Sequence, residues 1–291
     1  MRYIFVLLLL VFFSACATFY QVNHEFNQKF ESGNLQAAQK YLLNNNKMAE
    51  GRNRFLYYLN MGTVSSILGD YQKSNEYLEK AYLYGEDYLN NHLLTAASFL
   101  VNPTITPYRG EDHEHVLLLY YKAINYMKME LYDKALVEAR RINIRLQQLS
   151  DRYNSDKKFR EDAFAHNLMG IIYDAKKDYN NAFIAYRNAY KIYDEYYNSE
   201  FGLNAPNQLK EDLLRTAFLT GFRDELRFYE DKFGMDYKPN RQAKGDVVFF
   251  WNNGLGPVKS EWSINFTVAG GSNGMVTFVN DQYGYNFAFP Y

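Results

Sequence analysis

The stretch Ala163 to Tyr193 constrains this chain more than any other. It reads AFAHNLMGIIYDAKKDYNNAFIAYRNAYKIY. Met169-Gly170, Tyr173, Asp178-Tyr179, Ala182, Tyr186 and Ala189 fall at the spacing of two short antiparallel helices. Gly170 and Ala182 are expected to face each other where the helices cross, because small residues let two backbones approach. Tyr173, Tyr179 and Tyr186 would fill the space around that contact, and Ala189 would leave room for the next hairpin. One such hairpin cannot bury its own outer faces, so the chain must stack several.

That spacing is the one used by tetratricopeptide repeats, and it recurs. Gly33-Asn34-Leu35 with Ala38 and Leu42 matches a turn and second helix, and Val22 to Phe30 reads as the short first helix of a capping unit. Tyr58, Met61-Gly62, Gly69-Asp70-Tyr71, Ser74, Leu78 and Ala81 form a full unit. Gly69 is placed to take a left-handed helix cap, and Asp70 to cap the helix that follows. A third unit carries Ala123, Tyr132, Ala135 and Ala139, with Glu130-Leu131 in place of Gly-Asp. Asn102-Pro103 and Thr106-Pro107 mark a loop, since the residue before a proline avoids helix. Ser150 to Lys158 reads as a polar surface excursion. A final helical pair spans Gln208 to Phe233, broken near Gly221. Loops of unequal length separate the units, so the pattern is an irregular superhelix.

From Gly245 the pattern changes. Val247 to Trp251, Trp262 to Val268, Met275 to Val279 and Tyr285 to Phe289 are β-prone runs. Asn253-Gly254, Gly270-Gly271 and Asn273-Gly274 punctuate them as hairpin turns. The expected fold is therefore mainly α: an irregular tetratricopeptide-like helical-hairpin solenoid over residues 16–240, then a small antiparallel β region over 245–291.

The first residues point to an address. Met1-Arg2 is a positive start and Tyr3 to Phe13 an unbroken apolar run, too short to span a bilayer but suited to a signal peptide over 1–15. The run ends in Phe13-Ser14-Ala15-Cys16, the form of a bacterial lipobox, with Phe13 where leucine is usual. Cys16 is the only cysteine, so no internal disulfide can form, and acylation would consume its thiol. Two or three acyl chains anchor firmly where one would be marginal. Ala17-Thr18-Phe19-Tyr20 holds no aspartate beside the cysteine, which by bacterial sorting rules suggests the outer membrane, facing the periplasm.

Tyr108-x-Gly110-x-x-x-Glu114, Ala123-Ile124-Asn125-Tyr126, Val137-Glu138-Ala139-Arg140-Arg141 and Gly254-Leu255-Gly256-Pro257-Val258-Lys259 together resemble a family of tetratricopeptide-type bacterial lipoproteins. The resemblance covers most of the chain after Cys16. No activity is established for that family, so the resemblance implies no catalytic residue. Its members extend further at the C-terminus, which leaves the completeness of the β region here an open point.

The charges nearly cancel, with a formal net charge of -1, so nothing marks a nucleic-acid binder. Arg109 to His115 is the densest polar cluster. Its carboxylates and imidazoles could suit zinc, but His113 and His115 are two apart at a helix start and lack the i, i+4 spacing of a helical metal motif. A helix start, with Glu111 and Asp112 favoured by the positive helix end, accounts for the cluster better. Glu138, Arg140 and Arg141 suit either an ion-pair network or an anion-binding patch. No GxSxG elbow, phosphate loop or CxxC pair occurs.

Aromatic residues abound, with 28 Tyr and 22 Phe, and Tyr57, Tyr58, Tyr82, Tyr84, Tyr193, Tyr196 and Tyr197 are too many for one face, so some should be exposed. Exposed Tyr could grip peptides or stack on sugars. The expected function is a non-catalytic scaffold binding envelope proteins, with the membrane reached through the acyl anchor and no cofactor or metal. A glycan-binding lipoprotein is the alternative. Candidate partner-binding or structural polar residues are Tyr108, Gly110, Glu114, Glu138, Arg140 and Arg141. The repeat-packing set is Gly62, Ala81, Gly170, Tyr173, Ala182, Tyr186 and Ala189.

Overall fold

The computed structural model describes residues 19–89, 107–153, 162–239, 247–252, 267–272 and 275–290. The chain divides into two units, Met1–Asp246 and Val247–Tyr291. Cys16, the segment 1–15, Asn102-Pro103, residues 154–158, Asn253-Gly254, Gly254 to Lys259, residues 262–266 and Asn273-Gly274 lie outside the described residues.

The first unit is a stack of helical hairpins. Helices α1 (Phe19–Glu31) and α2 (Leu35–Asn44) form the first, followed by a 3₁₀ turn at Asn46–Ala49. Next come α3 (Arg54–Ile67) with α4 (Tyr71–Leu89), α5 (Asp112–Lys128) with α6 (Tyr132–Arg152), and α7 (Ala163–Ala175) with α8 (Tyr179–Ile192). Helix α8 widens into a π turn at Tyr193–Tyr197 and ends in the short α9 (Asn198–Phe201). Helices α10 (Asn207–Thr220) and α11 (Arg223–Phe233) complete the stack. Each hairpin docks on the next through its second helix: α2 on α3, α4 on α5, α6 on α7 and α8 on α10.

All five of these hairpin turns share one backbone solution. A residue just past each first helix sits at positive φ, the second in four turns, Gly33 (76°), Gly69 (86°), Glu130 (58°) and Lys177 (61°), and the first in the last turn, Gly221 (77°). At each turn the next amide reaches back to close the helix end, as in Asn34 N to Lys29 O at 2.9 Å and Leu131 N to Tyr126 O at 2.8 Å. This is the Schellman closure, which glycine adopts at little steric cost. Asn34, Asp70 and Asp178 then cap the second helix by accepting from the amides of Ala37, Lys73 and Asn181. Leu131 and Phe222 occupy the same place with no side-chain cap. The turn that departs from Gly-Asp in sequence therefore keeps the repeat's backbone and loses only its cap.

The helix crossings show a trade between large and small. A Cβ on Gly62 would come within 2.5 Å of the Leu78 side chain, and one on Gly170 within 2.4 Å of the Tyr186 ring. Gly170 thus lies under Tyr186, and its nearest cross-helix atoms all belong to that ring rather than to Ala182. At the matching positions of the middle hairpin stand Ala123 and Ala139, both fully buried. A glycine facing a large side chain and an alanine facing an alanine fill similar space, which close packing demands. Ala81, Ala182, Tyr186 and Ala189 are buried as the repeat pattern requires. One apolar core joins Phe183, Tyr186, Tyr190, Leu213 and Tyr229 across α8, α10 and α11, and another joins Phe26, Leu42, Tyr57 and Met61 across α1 to α3.

Two further expectations are corrected in this unit. Helix α6 runs through Arg152 and Ser150 is buried, so the polar stretch begins as helix because Leu146 and Leu149 hold it in the core. None of the seven tyrosines expected to include exposed rings is freely exposed: Tyr57 is buried and the other six are half-buried. Neighbouring side chains cover them, with Lys80 over Tyr58, Arg54 over Tyr84, Arg141 over Tyr82, and the Tyr197 ring meeting that of Tyr193 edge-on and that of Tyr196 at a tilt. The segment after Asn198 starts as helix, and only at Gly202, with φ 65°, does the chain turn into loop.

The second unit holds an antiparallel meander, β1 (Thr267–Ser272), β2 (Met275–Asn280) and β3 (Tyr285–Pro290), in the order β1-β2-β3. Met275 to Val279 and Tyr285 to Phe289 are strands as expected. Gly270-Gly271 lies within β1, paired with Thr277 and Val276, and is not a turn; the irregularity it brings is a register shift between Val268 and Gly270. Val247 to Trp251 forms no strand, and Val247, Phe249 and Trp251 are exposed. Its β-branched and aromatic residues suit a strand, but among the described residues none pairs with its backbone, and propensity yields to that context.

Candidate functional site

Helix α5 packs against both α4 and α6, and polar side chains from all three helices meet beside it. Lys122 sits in the apolar run HVLLLYYKAINY of α5, and its position there buries it almost completely. A buried ammonium must be paired, because desolvation costs several kcal/mol. Lys122 bonds the Glu79 carboxylate of α4, and its Nζ lies 3.0 Å from Glu138 Oε1 of α6. Glu138 is itself buried and accepts from Arg141 Nη1 at 3.2 Å through each oxygen. Arg141 also reaches Glu79 at 3.7 Å. The Tyr82 ring lies below both cations, 5.4 Å from Lys122 Nζ and 4.8 Å from Arg141 Cζ. Two cations and two carboxylates thus balance in one cluster that ties three helices together.

One turn beyond Arg141, Arg145 continues the cluster. Its Nη1 donates to Glu86 Oε1 of α4 at 3.3 Å and to Gln148 Oε1 at 3.1 Å. Its Nε and Nη2 are buried and have no partner among the described residues. Burial pulls the Arg145 pKa below the usual arginine value, and the Glu86 carboxylate only partly offsets this. Arg145 lines a cavity of about 180 Å³ between α4 and α6, with Tyr82, Glu86, Arg141 and Ile144 around it and the buried His115 and Leu119 of α5 in its wall.

His115 is fixed from the other side. Its ring lies 4.7 Å from that of Phe55, and its Nε2 stands 2.9 Å from the Arg109 carbonyl. A carbonyl only accepts, so Nε2 carries the proton. Burial pushes the imidazole pKa down to about 4, with the Arg145 cation adding to the effect, so His115 is neutral above that pH.

The loop before α5 explains the Tyr108, Gly110 and Glu114 set. Tyr108 Oη donates to Glu114 Oε2 at 2.6 Å, and the Glu111 amide donates to the same oxygen at 2.7 Å. The Tyr108 amide donates to the Arg52 carbonyl at 2.8 Å, pinning the loop to the start of α3. Gly110 has φ 81°, and a Cβ there would strike the Phe55 ring at 2.4 Å. Only glycine meets both demands. Burial, then the Glu114 carboxylate, raises the Tyr108 pKa well above the ordinary phenol value, so Tyr108 is a fixed donor. His115 spends its Nε2 on this same loop. Among the described residues no group of three or more His, Cys, Asp or Glu side chains could hold a metal ion.

Glu138 and Arg141 share one network, whereas Arg140 points elsewhere and donates to Tyr173 Oη at 2.9 Å on α7. Tyr173, placed in the repeat-packing set, is half-buried against the apolar core of α8, α10 and α11 and also accepts from Arg140. Sequence reading missed Glu79, Lys122 and Arg145. The signal for Lys122 was a lone cation inside an apolar helical run, and for Arg145 its place one turn after Arg141. It also missed Asn125, fully buried, whose Nδ2 donates to Ser74 Oγ and Asn75 Oδ1 at 2.8 Å each while its Oδ1 accepts from Ser66 Oγ at 2.6 Å. A second charged knot joins Asp174, Tyr186, Asp212 and Arg215 across α7, α8 and α10, with Arg215 Nη2 2.8 Å from Asp212 Oδ1.

No protein-family model and no curated protein matches the chain. Solved structures do. The apo form of RapI is similar over 73% of this chain and 52% of its own, at 16% identity and a TM-score of 0.52. The chain therefore spans about half of RapI's length. BtubC from P. vanneervenii is similar over 80% of this chain and 87% of its own, at 14% identity and a TM-score of 0.48. The TPR-like repeats of a putative kinesin light chain from Podosopora anserina align over 73% and 92% respectively, at 13% identity and a TM-score of 0.48. At such identities the likeness is one of fold; that the fold is a tetratricopeptide-like helical solenoid is carried by the stacked hairpins and their shared turns.

Proposed function

We propose that this chain is a non-catalytic scaffold of the bacterial cell envelope, anchored in the membrane through Cys16 and binding protein partners through its helical-repeat unit. The observation that carries the reading is the stack itself. Successive hairpins offer one surface assembled from several repeats, and the Glu79, Lys122, Glu138 and Arg141 network holds three of those helices in fixed register. The anchor rests on the apolar run Tyr3 to Phe13, followed by Ser14-Ala15 and the chain's only cysteine, Cys16. An outer-membrane site facing the periplasm follows from the residues after Cys16.

The test is crosslinking and affinity capture from membranes, comparing the native chain with Cys16→Ser, alongside metabolic labelling with palmitate. Label on the native chain only, with a defined envelope protein captured by the anchored form, supports the reading. An unlabelled native chain overturns the anchor. Binding of peptidoglycan fragments with no protein captured would replace the scaffold by the glycan-binding alternative.

A further inference from the structure

The cavity of about 180 Å³ between α4 and α6 is rimmed by polar side chains that still have bonds to make. Arg145, buried behind them, orients two: its Nη1 donates to Glu86 Oε1 at 3.3 Å and to Gln148 Oε1 at 3.1 Å. The second Glu86 oxygen is left to accept and the Gln148 amide nitrogen to donate. The Glu86 side chain is 27% exposed, and Gln148 is exposed. Arg141 meets Glu138 and Glu79 through Nη1, so Nε and Nη2 remain donors on a side chain that is 32% exposed. Leu119 and the exposed Ile144 supply an apolar wall. An acceptor flanked by two donors suits hydroxyl groups, each of which both donates and accepts.

The charges select a neutral ligand. Glu79, Glu86 and Glu138 are balanced by Lys122, Arg141 and Arg145. His115 adds no cation, because its buried ring is neutral near pH 7. A ligand with net charge would enter a balanced, partly desolvated set and find no counter-ion left for it. The cavity holds roughly the liquid volume of six waters, which is room for one sugar ring. We infer that it binds a single neutral pyranose unit, with neighbouring hydroxyls on Glu86, Arg141 and Gln148 and the C–H face of the ring against Leu119 and Ile144. Arg145 is a positioning residue here: it sets Glu86 and Gln148 and does not touch the sugar. The site rests neither on the scaffold reading nor on exposed tyrosines.

Saturation-transfer NMR of the full chain titrated with glucose, galactose, mannose and N-acetylglucosamine tests the site. The same sugars carrying a free amine at carbon 2 or a carboxylate at carbon 6 are the charged counterparts. Saturable uptake of at least one neutral sugar is the expected result, roughly tenfold tighter than either charged form of that ring. Ile144→Trp plugs the mouth from an exposed position and should abolish uptake. Gln148→Ala removes one donor from the surface of α6 and should weaken uptake several-fold. Ile184→Trp, the same kind of change at an exposed position of α8, should leave uptake as it is. The proposal is overturned by no saturable uptake of any neutral sugar, by equal uptake of a charged form, or by uptake that survives Ile144→Trp or is lost equally in Ile184→Trp.

Discussion

His115 makes the stability of this fold depend on pH in a way that can be calculated. The imidazole is buried against Phe55, and its pKa falls from 6.5 to about 4. Between those two values the unfolded chain takes up a proton at His115 and the folded chain does not. Stability therefore falls as pH drops through 6.5 and is restored above it. The whole shift corresponds to about 3 kcal/mol, at roughly 1.4 kcal/mol for each pKa unit. Between pH 7.5 and 5.5 the unfolded histidine becomes mostly protonated and the folded one stays neutral, which costs about 1.3 kcal/mol. Urea unfolding of the native chain and of His115→Leu at both values isolates this contribution, because carboxylates that titrate in both proteins cancel in the difference. The native chain should lose about 1 kcal/mol more than the variant on going to pH 5.5. Equal losses in the two proteins would show that His115 accepts a proton as readily folded as unfolded, and the burial argument would fail.

Lys122→Met leaves Glu138 buried without its ammonium, and should destabilise by roughly 3–5 kcal/mol in chemical unfolding, whereas Lys122→Met with Glu138→Leu should recover most of the loss. Gly170→Ala places a methyl 2.4 Å from the Tyr186 ring; a loss of about 1–3 kcal/mol is expected by the same assay, from overpacking. Glu130→Gly relieves a non-glycine residue held at φ 58°, and should raise stability by about 0.5–1 kcal/mol, seen as a higher melting temperature. Leu131→Asp at the uncapped start of α6 should add about 1 kcal/mol in the same measurement.

Much of the architecture was written in local patterns. The glycines at Gly62 and Gly170 and the Gly-Asp and Lys-Asp turns each report a steric demand that one helical hairpin makes by itself, and Ala189 reports the demand of the hairpin stacked next to it. Helix period and cap chemistry are short-range properties, so a linear reading reaches them. Even the degenerate Glu130-Leu131 turn could be placed, because the flanking helices force the same closure whatever residue occupies it.

The polar chemistry was not legible in that way. Glu138, Arg140 and Arg141 are neighbours in sequence, yet Arg140 turns to Tyr173 on α7 while the other two join Glu79 and Lys122. Tyr108, Gly110 and Glu114 could be singled out as a motif, but only the position of Phe55 and the Arg52 carbonyl shows that the motif fastens a loop. Sequence alone determined that the chain must stack helical hairpins, since no hairpin buries its own faces. Tertiary structure alone decided which charges are buried together and that two buried donors of Arg145 go unmet among the described residues, because burial and pairing depend on helices far apart in the chain.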